Sequence, residues 1–191
     1  MSDKLERINQ HLNQSLSHLQ PSAILAFNDS IRDLKQVIKL TLGEPDFMTP
    51  EVVKAGAIAS IQANHSHYAP SNGLPALRQA ITSFLMSHYH LQYDSEREIV
   101  VTAGASGAIY STLTAILNPG DQVLVPIPIF PPYIPIAQLN GAEPIFIDTR
   151  VDGFKLTPKR LQAALNDHQK VKALILNYPN NPSGTCCPRP E

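Results

Sequence analysis

The segment that most constrains the fold is residues 98–117, EIVVTAGASGAIYSTLTAIL, in which a β-branched run passes through small residues into a helical pattern. The run at 99–102 predicts a strand that is buried on both faces. From residue 105 onward, apolar side chains recur at helical spacing, at Ile109, Leu113, Ile116 and Leu117. The segment therefore predicts a strand, a turn and a helix in direct succession.

The turn of this unit, residues 103–107, contains only Ala, Gly and Ser. Gly104 and Gly107 allow the backbone to approach a ligand closely, and Ser106 adds a hydroxyl donor. The first N–H groups of a helix have no partner within the helix, so an anion can bind there. We interpret the turn, including Ala105, as a phosphate-binding cup. The alternative is an ordinary connection between a strand and a helix.

A second alternative is a dinucleotide-binding turn, because VTAGASGAI is similar to the glycine-rich turn of short-chain dehydrogenases. Such a turn is expected in the first strand–helix–strand unit, yet nearly a hundred residues precede it here. Those dehydrogenases also carry a catalytic Tyr and Lys four residues apart. At that spacing Tyr133 is followed by Ala137, and Tyr110 by Thr114. We therefore set this interpretation aside.

The rest of the chain alternates apolar runs with helical patterns. Further strands are predicted at 37–42, 122–126, 141–148 and 171–177. Helices are predicted at 3–19, 21–37, 50–64, 75–85 and 158–165. Thr49 and Thr157, each followed by Pro, are the expected N-caps of two of these helices. This alternation predicts an α/β fold with a parallel sheet and right-handed crossovers.

A proline-rich segment follows the predicted strand at 122–126. Residues 126–135 contain five prolines, a density that predicts a stiff loop, without a regular helix or central strand, carrying Phe130 and Tyr133. In parallel α/β sheets, ligands bind at the carboxyl ends of the strands. This loop, the cup at 103–107 and the residues after Asn177 all follow strand ends. We expect them to converge on one site.

Composition excludes several classes of function. A net charge of −1 argues against a nucleic-acid or membrane-surface partner, and no apolar run approaches the roughly 20 residues of a membrane span. The first residues contain no apolar signal core, so we expect a cytoplasmic protein. The seven histidines form no cluster with acidic residues, and two cysteines are too few for a zinc site, so no metal is expected.

One motif connects these features to a known family. Residues 177–185, NYPNNPSGT, resemble the N-P-[ST]-G motif of class I aminotransferases, which are pyridoxal-phosphate enzymes of the aspartate aminotransferase fold. Six more segments fall in the family's order and spacing: PSAILAF, LGEPDFMTP, HYAPSNGLPALRQAI, VTAGASGAI, LNPGDQVLVPIP and DGFKLTP. The resemblance covers nearly all of residues 20–185. It implies the pyridoxal-phosphate-dependent transferase fold, with helices on both faces of the large-domain sheet.

The resemblance also implies roles for individual residues. Gly104, Ala105, Ser106 and Gly107 would bind the phosphate of pyridoxal 5′-phosphate. Tyr68 would reach the cofactor phosphate of a neighbouring subunit, which implies a homodimer. Phe130 stands where the family has an aromatic residue stacked on the pyridine ring. Asn181 would donate to the phenolic oxygen and contribute to substrate binding, and Gly43 would present its backbone to the substrate carboxylate.

The implied reaction is the transfer of an amino group between an amino acid and a 2-oxo acid. The resemblance assigns residues 1–47 to an N-terminal arm and small-domain segment, and 48–191 to the cofactor-binding domain. It places the Schiff-base lysine and its partners after residue 191, and none of the eight lysines here lies in a similar motif. No catalytic residue is therefore assigned, and we expect an N-terminal fragment that does not transaminate by itself. The alternatives are a β-lyase or decarboxylase of the same fold and a non-catalytic truncated chain.

Overall fold

The computed structural model describes residues 11–13, 15–16, 19, 23–41 and 43–186. These residues divide into two compact units: one comprises the residues up to Ala23 and from Gly104 onward, and the other comprises Ile24–Ala103. The helix expected over 3–19 lies largely outside the described residues. The expected division into an arm at 1–47 and a cofactor-binding domain at 48–191 stays a prediction.

The first unit is built on a three-stranded parallel sheet with the strand order β2–β1–β3. The strands are β1, Gln122–Ile127; β2, Glu143–Asp148; and β3, Val171–Leu174. In the register, Gln122 of β1 lies opposite Glu143 on one side and Val171 on the other. The predicted α/β fold with a parallel sheet is confirmed.

The helices of the described residues follow the predicted alternation. In chain order they are α1, Ala23–Ser30; α2, Glu51–Gln62; α3, Pro75–Tyr89; α4, Gly104–Ile116; α5, Tyr133–Leu139; and α6, Pro158–Asp167. A short 3₁₀ helix covers Arg150–Asp152. Helices α4, α5 and α6 belong to the first unit, and α2 and α3 to the second.

The core of the first unit surrounds β1, which is the central strand. Val123, Leu124 and Val125 have no exposed surface, as expected for a strand buried on both faces. Val123 and Val125 point to the same face because side chains alternate along a strand. On that face they join Leu113 of α4 and Ile136 of α5 in one apolar cluster.

Pro126, the last residue of the predicted strand, lies inside β1, which continues one residue further to Ile127. The backbone bonds explain why this is tolerated. Leu124 accepts a hydrogen bond from Ile175 on the β3 side, whereas Ile127 accepts one from Thr149 on the β2 side. Because successive residues of β1 bond to opposite neighbours, the backbone nitrogen of Pro126 faces the β3 side. Strand β3 ends at Leu174, so the N–H group that proline lacks would have had no β3 residue to bond to.

The same segment also forms a helix, which corrects the prediction of an irregular loop. Helix α5 begins at Tyr133 and includes Pro135 as its third residue. The N–H groups of the first turn have no partner within a helix, so proline is acceptable there. The stiff loop is thus confined to residues 128–132.

At the amino end of the sheet, the turn before β1 contacts the turn before β2. The N–H of Gly120 donates to the carbonyl of Gly141 over 2.8 Å. Gly141 has φ +73°, and a Cβ there would lie 3.1 Å from Cα of Pro119. Glycine is required at residue 141 both by its backbone conformation and by this close approach.

Two predicted strands are wrong. Residues 37–40 form no strand, and Ile38 and Leu40 are largely exposed. Residues 99–102 also form no strand; instead the N–H of Val101 donates to the carbonyl of Asn72 over 3.1 Å. A β-branched run becomes a strand only when a neighbouring strand pairs with it.

The predicted starts of α2, α3, α4 and α6 are correct to within one residue. Thr157 is the N-cap of α6, and its hydroxyl accepts from the N–H of Arg160. Helix α3 begins at Pro75 as expected. Helix α2, however, has Pro50 rather than Thr49 at its N-cap position, and no side chain caps it.

Two searches restricted to the described residues bear on possible function. No helix there combines the length and the apolar character needed to cross a bilayer. No group of three or more His, Cys, Asp or Glu side chains comes close enough together, in that part of the chain, to hold a metal ion.

Candidate functional site

The loops that follow the three strands converge at the carboxyl end of the sheet. One small cleft is lined by residues after β1 (Pro128 and Ile129), after β2 (Thr149) and after β3 (Asn177 and Asn180). Convergence of the loops after β1 and β3 was expected from the sequence, because parallel strands end at the same edge. The contribution from the loop after β2 was not.

The loop after β3 is organised around Asn180. Its side-chain oxygen accepts from the N–H of Ser183 at 3.0 Å and from the Ser183 hydroxyl at 2.7 Å. Its backbone carbonyl accepts from the N–H of Gly184 at 2.7 Å, and its N–H donates to the carbonyl of Thr185 at 2.8 Å. Four hydrogen bonds to Asn180 therefore hold this loop together.

Asn181, the predicted donor to the cofactor ring, is held by its backbone. Its N–H donates to Oδ1 of Asn177 over 2.8 Å. Its side chain is exposed and takes part in none of the hydrogen bonds found in the described part of the chain. The amide group is therefore available to a ligand, and its predicted role stays a prediction.

Phe130 lies in the loop between β1 and α5 and is half-buried. Its ring meets that of Tyr133 edge to face, with 5.9 Å between the centroids and an interplanar angle of 85°. Such a contact restrains the ring without covering both of its faces. The ring is thus oriented by the protein, which suits the predicted stacking role.

The loop after β1 is anchored at two consecutive carbonyl groups. Thr149, which is almost fully buried, donates from its N–H and its hydroxyl to the carbonyl of Ile127, at 3.1 and 2.8 Å. Asn180 donates from Nδ2 to the carbonyl of Pro128 at 3.1 Å. Both anchors precede Phe130 by no more than three residues.

Helix α4 runs from the carboxyl end of the sheet to its amino end. At the amino end, Asn140, which follows α5, donates to the hydroxyl of Thr114 in the last turn of α4 over 3.2 Å. Helix α5 begins just after β1 ends, so the two helix starts lie toward the carboxyl ends of the strands. The lengths agree, because the 13 residues of α4 and the six of β1 each span about 20 Å.

The predicted phosphate cup forms the first turn of α4. Gly104, Ala105 and Ser106 are exposed, and Gly107 is half-buried. Gly104 has φ +78°, and a Cβ added to it would meet no atom within 4 Å. The residues expected to bind phosphate therefore combine small side chains, one hydroxyl and open space at the start of α4.

Two ion pairs follow β2 near this edge. Arg150 donates to the carboxylate of Asp148, with Nη2 2.6 Å from Oδ2, and these hydrogen bonds lower the pKa of Asp148 to about 2. Asp148 in turn raises the pKa of Arg150. Arg160 pairs with the carboxylate of Asp152. Each of these two carboxylates is paired with an arginine. Their negative charge is therefore balanced and would repel a nearby anion less than an unpaired carboxylate would.

Three other residues have clear places in the structure. Tyr178 is half-buried, and its hydroxyl accepts from the N–H of Leu156 at 2.9 Å. Tyr68 and Gly43 belong to the second unit, where both are exposed. Their predicted roles at the cofactor phosphate and the substrate carboxylate stay predictions.

Sequence reasoning missed Asn180 and Thr149. Asn and Thr often bond to nearby backbone, and the pair Asn180–Asn181 before a proline was a local signal of such a turn. Nothing local indicated that Asn180 binds the carbonyl of Pro128, which lies 52 residues earlier. Thr149 carried no signal beyond its position after a strand.

Comparison with known proteins places these features in a family context. The sequence profile described as "Aminotransferase class I and II" matches residues 35–191. A protein of Bacillus subtilis (strain 168), described as a probable N-acetyl-LL-diaminopimelate aminotransferase, is 42% identical over 173 residues, which are 91% of this chain and 44% of the relative. An aspartate aminotransferase of Bacillus sp. (strain YM-2) is 39% identical over 178 residues, covering 91% of this chain and 45% of the relative.

Solved structures agree with the sequence comparison. The aspartate aminotransferase of Thermus thermophilus with maleate has a TM-score of 0.86 and 34% identity, over 93% of this chain and 47% of that one. An aspartate aminotransferase from Rhizobium meliloti has a TM-score of 0.85 and 32% identity. The chain thus spans less than half the length of these relatives.

Proposed function

Because the chain belongs to the aminotransferase class I and II family, we propose that the protein is a pyridoxal 5′-phosphate-dependent aminotransferase. It would transfer an amino group between an amino acid and a 2-oxo acid. The observation that carries the proposal is the convergence of the loops after β1, β2 and β3 at the carboxyl edge of the sheet. Relatives described as aspartate aminotransferases make aspartate the first amino acid to test.

The first turn of α4 suits the cofactor phosphate. Ala105 and Gly107 would donate backbone N–H groups to the phosphate oxygens, Ser106 would donate its hydroxyl, and Gly104 would let the backbone approach the phosphate closely. The partial positive charge at a helix start favours a dianion. Small side chains leave room for the phosphate to reach the backbone.

Two side chains suit the rest of the cofactor. Phe130 would cover one face of the pyridine ring and exclude water from it. Asn181 would donate its amide to the phenolic oxygen and orient the ring. When bound, the cofactor supplies the electron-withdrawing ring that makes the α-carbon of an amino acid acidic.

No proton-transfer role is proposed for the lysines of this chain. None of the eight lies in the first turn of α4, in the Phe130 loop or in residues 177–186. Among the described residues, no contact favours β-elimination or decarboxylation over amino-group transfer. We further propose a cytoplasmic homodimer in which Tyr68 serves the neighbouring site and Gly43 contacts the substrate carboxylate.

The binding step can be tested by equilibrium dialysis of the 191-residue chain against pyridoxal 5′-phosphate. Ser106→Asp places a carboxylate against the phosphate and should weaken binding by about 1–3 kcal/mol. Ser111→Asp is the matched control, because Ser111 is exposed on the same helix two turns from its start. Equal affinity of Ser106→Asp and the unmodified chain would contradict the assignment of the cup.

A further inference from the structure

Asn180 connects two loops that each carry a residue of the proposed cofactor site. Its Nδ2 atom donates to the carbonyl of Pro128, 3.1 Å away in the Phe130 loop. Its Oδ1 atom accepts from the N–H and the hydroxyl of Ser183 in the Asn181 loop. The two ends of one amide group are therefore used on two different loops.

The geometry on either side makes this connection short. Pro128 is two residues before Phe130, and the preceding carbonyl, that of Ile127, is already held by Thr149. Asn181 is the residue next to Asn180, and its N–H is fixed by Asn177. Little backbone freedom remains between the amide of Asn180 and either site residue.

We propose that Asn180 is a positioning residue that sets the separation between Phe130 and Asn181, and hence between the ring-stacking and ring-orienting groups. The inference rests on the proposed cofactor site and deepens it. Asn180 contributes no direct contact to the cofactor. It acts by fixing the two loops to each other through its Nδ2 and Oδ1 atoms.

The first test measures position without any ligand. The full chain is labelled with 4-fluorophenylalanine, and the ¹⁹F resonance of Phe130 is identified by its loss in Phe130→Leu. Asn180→Asp keeps an acceptor for Ser183 but loses the donor to Pro128, and Asn180→Leu loses both. Both variants should shift or broaden the Phe130 resonance, and Asn180→Asp keeps the test decisive if Asn180→Leu does not fold.

The matched control is Asn140→Asp. Asn140 is also half-buried and also donates Nδ2 to a backbone carbonyl, that of Ile136, but at the amino end of the sheet. It should lose comparable stability and leave the Phe130 resonance unchanged. An unmoved Phe130 resonance in both Asn180 variants, or an equal shift in Asn140→Asp, would overturn the positioning role.

The second test measures the affinity for pyridoxal 5′-phosphate by equilibrium dialysis. Asn180→Leu adds no charge and should weaken binding about tenfold, the scale of a lost hydrogen bond between supporting groups. Asn140→Asp should bind within about twofold of the unmodified chain. If the unmodified chain binds no cofactor, the proposed function fails while the ¹⁹F result still decides the role of Asn180. If it binds and Asn180→Leu binds equally well, the inference fails instead.

Discussion

The two ends of the parallel sheet are closed in different ways. At the amino end, short turns bond directly to each other, and the Asp121 carboxylate accepts from Asn118 and from Lys172. At the carboxyl end the loops are longer, and the side chains of Asn181 and Ser106 are exposed. These polar groups at the amino end form hydrogen bonds with one another, whereas some of the polar groups at the carboxyl end remain available to a ligand.

This difference indicates which end of the sheet contributes mainly to the free energy of unfolding and which end contributes mainly to ligand affinity. A close turn resists change where an added atom would meet backbone, as it would at Gly141. A loop with exposed donors gains its main interactions from a ligand. Substitutions at the amino end should therefore act on unfolding, and those at the carboxyl end chiefly on cofactor affinity.

The largest expected effect comes from two glycines with similar backbone angles. Gly141, with φ +73°, would place a Cβ 3.1 Å from the Pro119 backbone, so Gly141→Ala should lower the free energy of unfolding by about 2–4 kcal/mol. Gly153 after β2 has φ +64° with open space around it. Gly153→Ala should cost only about 1–2 kcal/mol. Urea unfolding measures both, and equal costs would show that the amino end is no more tightly packed.

A smaller effect is expected on cofactor binding when Phe130 is replaced by alanine. The affinity for pyridoxal 5′-phosphate should fall by roughly 1 kcal/mol, because stacking area on the ring is lost. Phe146→Ala on β2 is the control, since Phe146 is exposed on the sheet and outside the site. Dialysis measures both affinities. An unchanged affinity in Phe130→Ala would show that Phe130 does not contact the cofactor and has only a structural role.

The anchor at Thr149 tests whether the carboxyl end also contributes to stability. Thr149→Val removes the hydroxyl bond to Ile127 but keeps the N–H bond to the same carbonyl. The free energy of unfolding should fall by about 0.5–1.5 kcal/mol, the usual net value of one hydrogen bond. Thr112→Val on the exposed surface of α4 should change it less. If Thr149→Val lowers the free energy of unfolding as much as Gly141→Ala does, the amino end of the sheet contributes no more to stability than the carboxyl end.

The smallest effect concerns pH. Hydrogen bonds from Arg150 lower the pKa of Asp148 from 3.8 to about 2. A lowered carboxyl pKa stabilises the folded state above the ordinary value, and that contribution disappears as the pH falls from 3.8 toward about 2. Arg150→Gln should return the pKa of Asp148 toward 3.8, measured by NMR titration of its carboxyl carbon. A pKa that stays near 2 in the variant would rule out Arg150 as the cause.

Much of the fold could be predicted because local rules decide it. The apolar pattern at 122–126 predicted a buried strand, and Thr157 followed by Pro158 predicted the start of α6. The meeting of the loops after β1 and β3 could be predicted because both strands end at the same edge of the sheet, whereas the roles of the cup and of Phe130 stay predictions. The segment 126–135 was mispredicted because proline density was weighed without regard to which neighbour each N–H would face.

What the sequence by itself determined is much of the alternation of strands and helices, the starts of most helices and the edge of the sheet at which the loops after β1 and β3 meet. These follow from side-chain periodicity and capping, which act within a few residues. Tertiary structure alone decided that 99–102 is bonded to Asn72 and forms no strand, and that Asn180 bonds to Pro128. Those outcomes depend on hydrogen-bond partners that are distant in the chain, and the identity of such a partner is not written in any local pattern.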